Sequence, residues 1–429
     1  MTVNDRKIVN AWCLYDWANS AFATTIMAAV LPLYFRQIAA LNADGSMHPM
    51  ALSLWGYTSA VAMFFVAVLS LILGPLADSR ATKKRYLSMF MGLGAVATAA
   101  LTFTGTGDWP WVAGLFILGS IGFAGSEVFY DALLPHIAPP GQVDRISTRA
   151  YALGYVGGGI LLILNLAMIM IFPETVLADG TTVPLWAMRL SFLSVGLWWF
   201  LFSLPLLRQV PEPTVPHSGE LGPGLLIAFR RLRATFGDIK KYRQLFLFIL
   251  AFWFYNDGVS TIIKMATFFG STIGIGTLDL VGALVLTQII GVPASFGFGR
   301  LAGRIGAKRG ILIGIAVYTL IAASGYFISK PLHFWLLAGT VGLVQGGTQA
   351  LSRSLFAAMV PREKSAEFFG FYNISGKFAG VLGPVVFATV GQFTQSSRLA
   401  VVSLLVFFIV GGLLLLKVNV DEGRAHATP

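Results

Sequence analysis

The stretch Gly74-Pro75-Leu76-Ala77-Asp78-Ser79-Arg80-Ala81-Thr82-Lys83-Lys84-Arg85 is a short polar interruption between two long apolar runs. It returns in altered form as Gly299-Arg300-Leu301-Ala302-Gly303-Arg304-Ile305-Gly306-Ala307-Lys308-Arg309, again between apolar runs. Other landmarks repeat at one constant offset: Gly125, Pro139, Gly154 and Gly158 match Gly347, Pro361, Gly376 and Gly380. Tyr15-Asp16 finds a looser echo in Tyr255-Asn256-Asp257. A chain written twice to one plan, each copy dominated by apolar runs, points to two pseudo-symmetric bundles in a membrane.

Composition agrees with that reading. Of 429 residues 56% are hydrophobic and 11% charged, whereas a soluble domain carries about 25% charged residues. Apolar stretches of the length that crosses hydrocarbon occur near 11–35, 53–74, 86–104, 110–135, 148–172, 187–207, 244–270, 277–298, 310–328, 333–359, 367–391 and 397–416. The expected fold is an all-α polytopic membrane protein with twelve transmembrane helices in two six-helix bundles, residues 1–207 and 244–416. Between them lies a cytosolic linker, 208–243, and after them a tail, 417–429.

A net charge of +11 raises the question of a nucleic-acid partner, and its distribution answers it. Outside the spans, every Lys and Arg except Arg36, Arg189, Lys330 and Arg398 falls on the side of the termini. The positive-inside rule then places both termini in the cytosol of an inner or plasma membrane, and the basicity needs no polyanion. The linker opens on Val210-Pro211-Glu212-Pro213-Thr214-Val215-Pro216, a stiff non-helical exit. Beyond it Leu225, Phe229, Leu232, Phe236 and Ile239 recur at helical spacing beside Arg230, Arg231 and Lys241. That pattern fits either an amphipathic surface helix or a solvated basic connector.

Several chemistries are disfavoured. The lone Cys13 permits no intrachain disulfide, and the five His residues lack metal-ligand spacing. Gly157-Gly158-Gly159 and Gly346-Gly347 sit in apolar runs without the strand-to-helix context of a phosphate loop, and read as helix-packing residues. No Ser, His or Cys grouping offers a nucleophile, so neither an enzyme nor a cofactor is expected, and the chain is expected to act as a monomer.

Seven Asp, Glu, Lys and Arg side chains nevertheless lie more than two residues inside the ends of these spans: Asp16, Glu127, Asp131, Asp257, Lys264, Arg353 and Lys377. At roughly 3 kcal/mol for each charge at the bilayer centre, seven unsatisfied charges cost on the order of 20 kcal/mol. The whole margin of a folded protein is about 5–15 kcal/mol. They must pair, titrate or face a wet cavity, and a polar path through the membrane is the mark of a transporter.

The Gly-x-Leu-Ala-Asp motif with trailing basic residues resembles the signature of the major facilitator superfamily. Leu14 to Phe22 (LYDWANSAF), Ser352 to Pro361 (SRSLFAAMVP) and Ala366 to Pro384 (AEFFGFYNISGKFAGVLGP) are more specific. They resemble the branch related to the fungal vacuolar, autophagy-associated amino-acid effluxers, and the resemblance covers essentially the whole chain. It implies secondary transport, with spans 1, 4, 7 and 10 lining the cavity. It also implies a cytosolic gate in which Gly74 permits a close helix approach and Asp78 acts as a latch, with Lys83, Arg304 and Lys308 as the basic members. The first copy departs from the pattern at Ser79 and Ala81, where an arginine and a glycine are usual, and the second has Gly303 in place of the carboxylate.

Residue chemistry fills in the rest. On span 1 Asp16 and Asn19 share a face, as a polar wall or, for Asp16, an interfacial group or partner of Arg149. Glu127 and Asp131 stack at i, i+4 on span 4. Two close carboxylates cannot both ionise cheaply, which suits proton coupling, although a static bridge from Asp131 to Arg353 or Arg149 is the alternative. Asp257, Lys264, Arg353 and Lys377 give the second half both signs of charge, with Arg353 and Lys377 as anchors for a substrate carboxylate and Asp257 and Asp16 available to an amino group. The expected function is a proton-coupled secondary transporter of a small polar metabolite, amino acids first. The competitors are an exporter of amphipathic or organic-anion compounds and a transport-inactive membrane sensor.

Overall fold

A computed structural model describes residues 3–42, 44–79, 83–131, 133–137, 143–178, 180–212, 237, 239–360, 368, 371–372, 376–377 and 380–425. The apolar periodicity of the linker lies largely outside these residues, as do the side chains of Gly74 and Asp78.

Helices carry nearly all the described backbone. The first span begins as α1 (Val3–Ala21) and continues through a π-helical segment (Phe22–Ala29), α2 (Val30–Tyr34) and a second π segment (Phe35–Ala39). Its wide turns have local causes. The Val30 N–H reaches back to Thr25 O, and Pro32 has no N–H to give the turn below it. The Thr24 hydroxyl donates to backbone carbonyls at Ser20 (3.1 Å) and Ala21 (3.4 Å). Such segments tend to mark functional stretches of helix.

The remaining helices of the first half are α3 (Ala51–Ser79), α4 (Lys83–Ala100), α5 (Trp109–Asp131), the short α6 (Leu134–Ile137), α7 (Val143–Ile171) and α8 (Leu185–Gln209). A small antiparallel hairpin, β1 (Thr175–Val176) and β2 (Thr182–Val183), joins the last two. The second half has α9 (Arg243–Thr272), α10 (Thr277–Ile305), α11 (Ala307–Ser324), α12 (Pro331–Met359), α13 (Leu382–Thr394), α14 (Ser397–Ser403), α15 (Leu405–Lys417) and α16 (Val420–Ala425). Among the described residues ten helices are long and apolar enough to cross a membrane. To these add α12, long enough but more polar, and α13, the described end of the eleventh span.

The opening motif is less of a loop than its sequence suggests. The backbone of α3 stays helical through Ser79, and that of α10 through Ile305. The second copy turns at Gly306, whose φ of 88° is open to glycine and costly for other residues. That turn accounts for the glycine which the first copy replaces with Ala81.

The chain clusters into two compact units, Met1–Ala51 with Val68–Leu225, and Leu52–Ala67 with Leu226–Pro429. In the first, α4 and α5 cross so closely that a Cβ on Gly122 would fall on the Gly94 backbone, the small-residue contact by which membrane helices associate. In the second, the start of α3 lies along α13. Ser53 Oγ donates to Ala388 O (3.0 Å) and Tyr57 OH to Gln392 Oε1 (2.7 Å).

Each half also ties its last helix to its basic turn. Lys84 Nζ donates to Val210 O (2.6 Å), the residue that ends α8, while its N–H meets the Glu212 carboxylate. Lys308 Nζ donates to Leu416 O (2.9 Å) and Val418 O (2.8 Å), where α15 ends. Both cations meet orphan carbonyls at the negative end of a helix. After α15 the chain docks α16 beside the start of α9. The Asn419 N–H donates to Gln244 Oε1 (2.8 Å), and Gln244 Nε2 donates to Glu422 Oε2 (2.7 Å).

Candidate functional site

The second unit holds the most closely built group of buried charges. Asp257 and Lys264 stand two turns apart on α9, 1% and 8% exposed. Opposite them the eleventh span is interrupted: Gly380 and Val381 form a turn and α13 starts at Leu382. A helix that starts in the middle of a membrane has backbone N–H groups to satisfy. Its entry residue, Val381, provides no side-chain cap. Asp257 supplies one from the neighbouring helix, its Oδ2 accepting the Gly383 N–H at 2.8 Å. Pro384 has no N–H to satisfy, and the Val385 N–H reaches Val381 O at 3.4 Å.

This geometry requires glycine at 383. A Cβ there would stand 2.6 Å from Asp257 Oδ1 and overlap the Thr261 hydroxyl. Thr261 Oγ1 donates its one proton to the Asp257 backbone O at 2.8 Å and lies 3.4 Å from Oδ1. The carboxylate is thus held through Oδ2 and faces the positive end of a helix, a favourable place for an anion.

Lys264 is held differently. Its backbone O accepts Trp55 Nε1 at 3.5 Å, and Asp257 acts on its ammonium across space. The turn beside it carries no side chain at Gly380, where a Cβ would stand 3.8 Å from Nζ and 3.7 Å from Met63 Sδ. Lys377, half-buried, gives its carbonyl to the Gly380 N–H at 3.3 Å. Arg353 is exposed on α12, in electrostatic reach of Tyr372. The Tyr372 ring stacks between Phe252 and Phe356, 4.5 Å from each.

The first unit gathers acids. Tyr15 and Asp16 on α1 lie within reach of Ser126, Glu127, Tyr130 and Asp131 on α5. Trp12 stacks on Tyr130 at 4.3 Å and donates Nε1 to its backbone O at 3.0 Å, while Tyr15 lies 4.8 Å from the same ring. Asp16 and Asp131 both act on the Tyr130 phenol and on each other. Glu127 and Asp16 act on Tyr15. Asn19 is 2% exposed, and its Nδ2 is buried without a hydrogen-bond partner among the described residues. Asp131 is the exposed last residue of α5 and Glu127 is half-buried. The i, i+4 spacing singles out Glu127 with Asp131, whereas the structure brings Asp131 to Asp16 across two helices. Arg149, on α7, is exposed and lies in electrostatic reach of Cys13.

Of the basic gate residues, Lys83 is buried and Arg304 exposed, and Lys308 caps α15. Sequence reasoning missed Gly383, Thr261 and Lys84. The Gly383-Pro384 pair within an apolar span was the signal for the first. Lys84 stands one residue past the position that an ungapped match to Lys308 selects. Among the described residues no group of three His, Cys, Asp or Glu side chains is placed to hold a metal.

A buried acid and a buried base beside a broken helix, and acids clustered around phenols, are features of a path for polar solutes. The family profile described as Vacuole effluxer Atg22 like matches residues 4–428. The chain belongs to that family. The uncharacterized MFS-type transporter YxiO of Bacillus subtilis is 40% identical, over 94% of this chain and 93% of that protein. Autophagy-related protein 22 of Yarrowia lipolytica is 28% identical over 66% of this chain, and there the match spans about half of the relative, 51%. A bacterial homolog of the human lysosomal transporter Spinster, solved in an inward-facing and unoccupied conformation, superposes with a TM-score of 0.71. The superposition covers 99% of this chain and 98% of that one at 14% identity. The protein is therefore a transporter of the major facilitator type. It is an integral, multi-pass, all-α membrane protein of twelve transmembrane helices in two pseudo-symmetric bundles.

Proposed function

We propose that this protein is a proton-coupled secondary transporter that moves a small polar metabolite, an amino acid first among them, by alternating access. The observation that carries the reading is the division of buried charge between the two units. Asp16, Glu127 and Asp131 gather around Tyr15 and Tyr130 in one, and the buried Asp257 and Lys264 face a broken helix in the other. Carboxylates close together at membrane depth favour sharing a proton. A half-helix beside a buried cation is the kind of element that transporters use to hold a substrate. The name of the family, vacuole effluxer, supports transport of metabolites out of the compartment that accumulates them.

Residues 1–207 and 244–416 act as the two rocking bundles, joined by the cytosolic linker 208–243 and followed by a cytosolic tail, 417–429. The membrane is an inner or plasma membrane with both termini in the cytosol, which the crowding of Lys and Arg on that side supports. The cytosolic gate comprises Gly74, Asp78, Lys83, Arg304 and Lys308, and the substrate path Asp16, Asn19, Lys264, Arg353 and Lys377. Asp257 acts by positioning the broken helix.

The test is transport in proteoliposomes with imposed proton or sodium gradients. Glu127→Gln should retain counterflow exchange of substrate and lose accumulation driven by a pH gradient. Accumulation that follows sodium alone, or a Glu127→Gln variant with unchanged pH-driven accumulation, would overturn the coupling assignment. Absence of flux for every solute in a broad metabolite screen would overturn transport itself and favour a sensor.

A further inference from the structure

We infer that Lys264 is the anchor for a carboxylate group of the transported substrate. This rests on the transporter reading above and names the group that its site selects.

Lys264 is 8% exposed on a membrane-spanning helix. Its ammonium has three donors and forms neither a hydrogen bond nor an ion pair among the described residues, its one neighbour of opposite charge being Asp257 at longer range. That carboxylate caps the broken helix, with Oδ2 on the Gly383 N–H at 2.8 Å and Oδ1 near the Thr261 hydroxyl at 3.4 Å. Asp257 therefore provides a favourable field without providing an acceptor. A buried cation with open donors is costly to maintain unless something pairs with it, and a substrate anion can supply the acceptor that the described residues do not.

The surroundings leave room for one. Gly380 presents no side chain, and even a methyl there would approach Nζ to 3.8 Å. The turn at Gly380 and Val381 leaves the lysine facing a break in the neighbouring span. An ammonium is a compact point charge without the forked geometry of a guanidinium, and a single lysine balances a single negative charge. A monoanionic carboxylate matches that better than a dianionic phosphate.

The test uses the full-length protein in proteoliposomes. Once a transported solute is found, each carboxylate-bearing solute competes against its own carboxamide and methyl ester. Wild-type protein should prefer the carboxylate by about 10- to 100-fold, the range of a hydrogen bond to a charged group. Lys264→Gln should abolish that preference, and Lys264→Arg should restore part of it. Equal competition by acid and amide on wild-type protein refutes the inference and leaves the transporter reading intact, as does a transported solute with no anionic group. A preference that survives in a well-expressed Lys264→Gln variant also refutes it. Absence of any flux refutes the transporter reading and the inference with it. The wild-type comparison can refute the inference by itself, and Lys264→Met takes the place of Lys264→Gln if that variant fails to fold.

Discussion

Gly383→Ala puts the strongest test on the broken helix. The added Cβ would stand 2.6 Å from Asp257 Oδ1 and overlap Thr261 Oγ1, with Thr261 Cβ at 3.1 Å. None of these atoms is the free end of a long side chain, because both residues are fixed to α9 within two turns of the contact. Two costs therefore add. Overpacking of this kind costs about 1–3 kcal/mol, and displacing the carboxylate from the Gly383 N–H loses a charge-assisted hydrogen bond of about 1.5–3 kcal/mol. The expected loss is about 2.5–6 kcal/mol, enough to lower the melting temperature of the purified protein by several degrees. Gly380→Ala provides the control. Its Cβ meets nothing closer than the Lys377 carbonyl at 3.5 Å, so it should melt close to wild type. A double variant, Gly383→Ala with Thr261→Ala, removes one of the two obstructions and should recover part of the loss as a measurable coupling. A Gly383→Ala protein that melts with the wild type, or a double variant no better than the single, would show that Asp257 does not hold the start of α13.

The two lysine caps should behave alike. Lys84→Met and Lys308→Met should each lower thermal stability by about 1 kcal/mol, and a large effect at one with none at the other would break the parallel between the halves. Gln244→Ala should loosen α16, read as faster amide exchange over residues 419–425 with little change in the spans. Single cysteines at Ser46 and Ser218 should react with impermeant reagent from opposite faces of the membrane. Labelling of both from one face would overturn the proposed topology.

The spans were legible because twenty apolar residues carry their own signal, and lipid leaves few other ways to satisfy a backbone. What sequence hides is pairing between distant residues. Asp257 reads as a charge in the middle of a span, and nothing in its spacing points to Gly383, 126 positions away. The interruption before Leu382 was visible as Gly380 and Gly383-Pro384, yet an apolar count runs straight through it. Glu127 and Asp131 were grouped by helical periodicity, but α5 ends at Asp131, which leaves that carboxylate exposed and directs its influence to Asp16 on α1. Lys83 and Lys84 are adjacent in sequence, and only the fold shows which of them reaches the end of α8. The π segments of the first span follow from hydrogen bonds at Thr24, Thr25 and Val30 that hydropathy does not register.

The duplication itself separates architecture from chemistry. The halves keep the parts that hold helices together, a lysine on the end of the last helix in each and glycines at matching positions. Where they diverge, they diverge in charge. Asp131 and Arg353 share the offset that relates Gly125 to Gly347, so one repeat position carries opposite signs in the two halves. The first half collects Asp16, Glu127 and Asp131 around buried phenols, whereas the second uses its buried acid as a helix cap and, among the described residues, leaves its buried cation without a hydrogen-bond acceptor. Two identical halves would offer a proton and a carboxylate the same site twice. Under the proposed function, halves of opposite character offer each its own, with acids where a proton can be shared and a cation where an anion can be held. Substitutions at the retained positions should then cost stability in either half, while those at the diverged positions should cost coupling in one half and binding in the other.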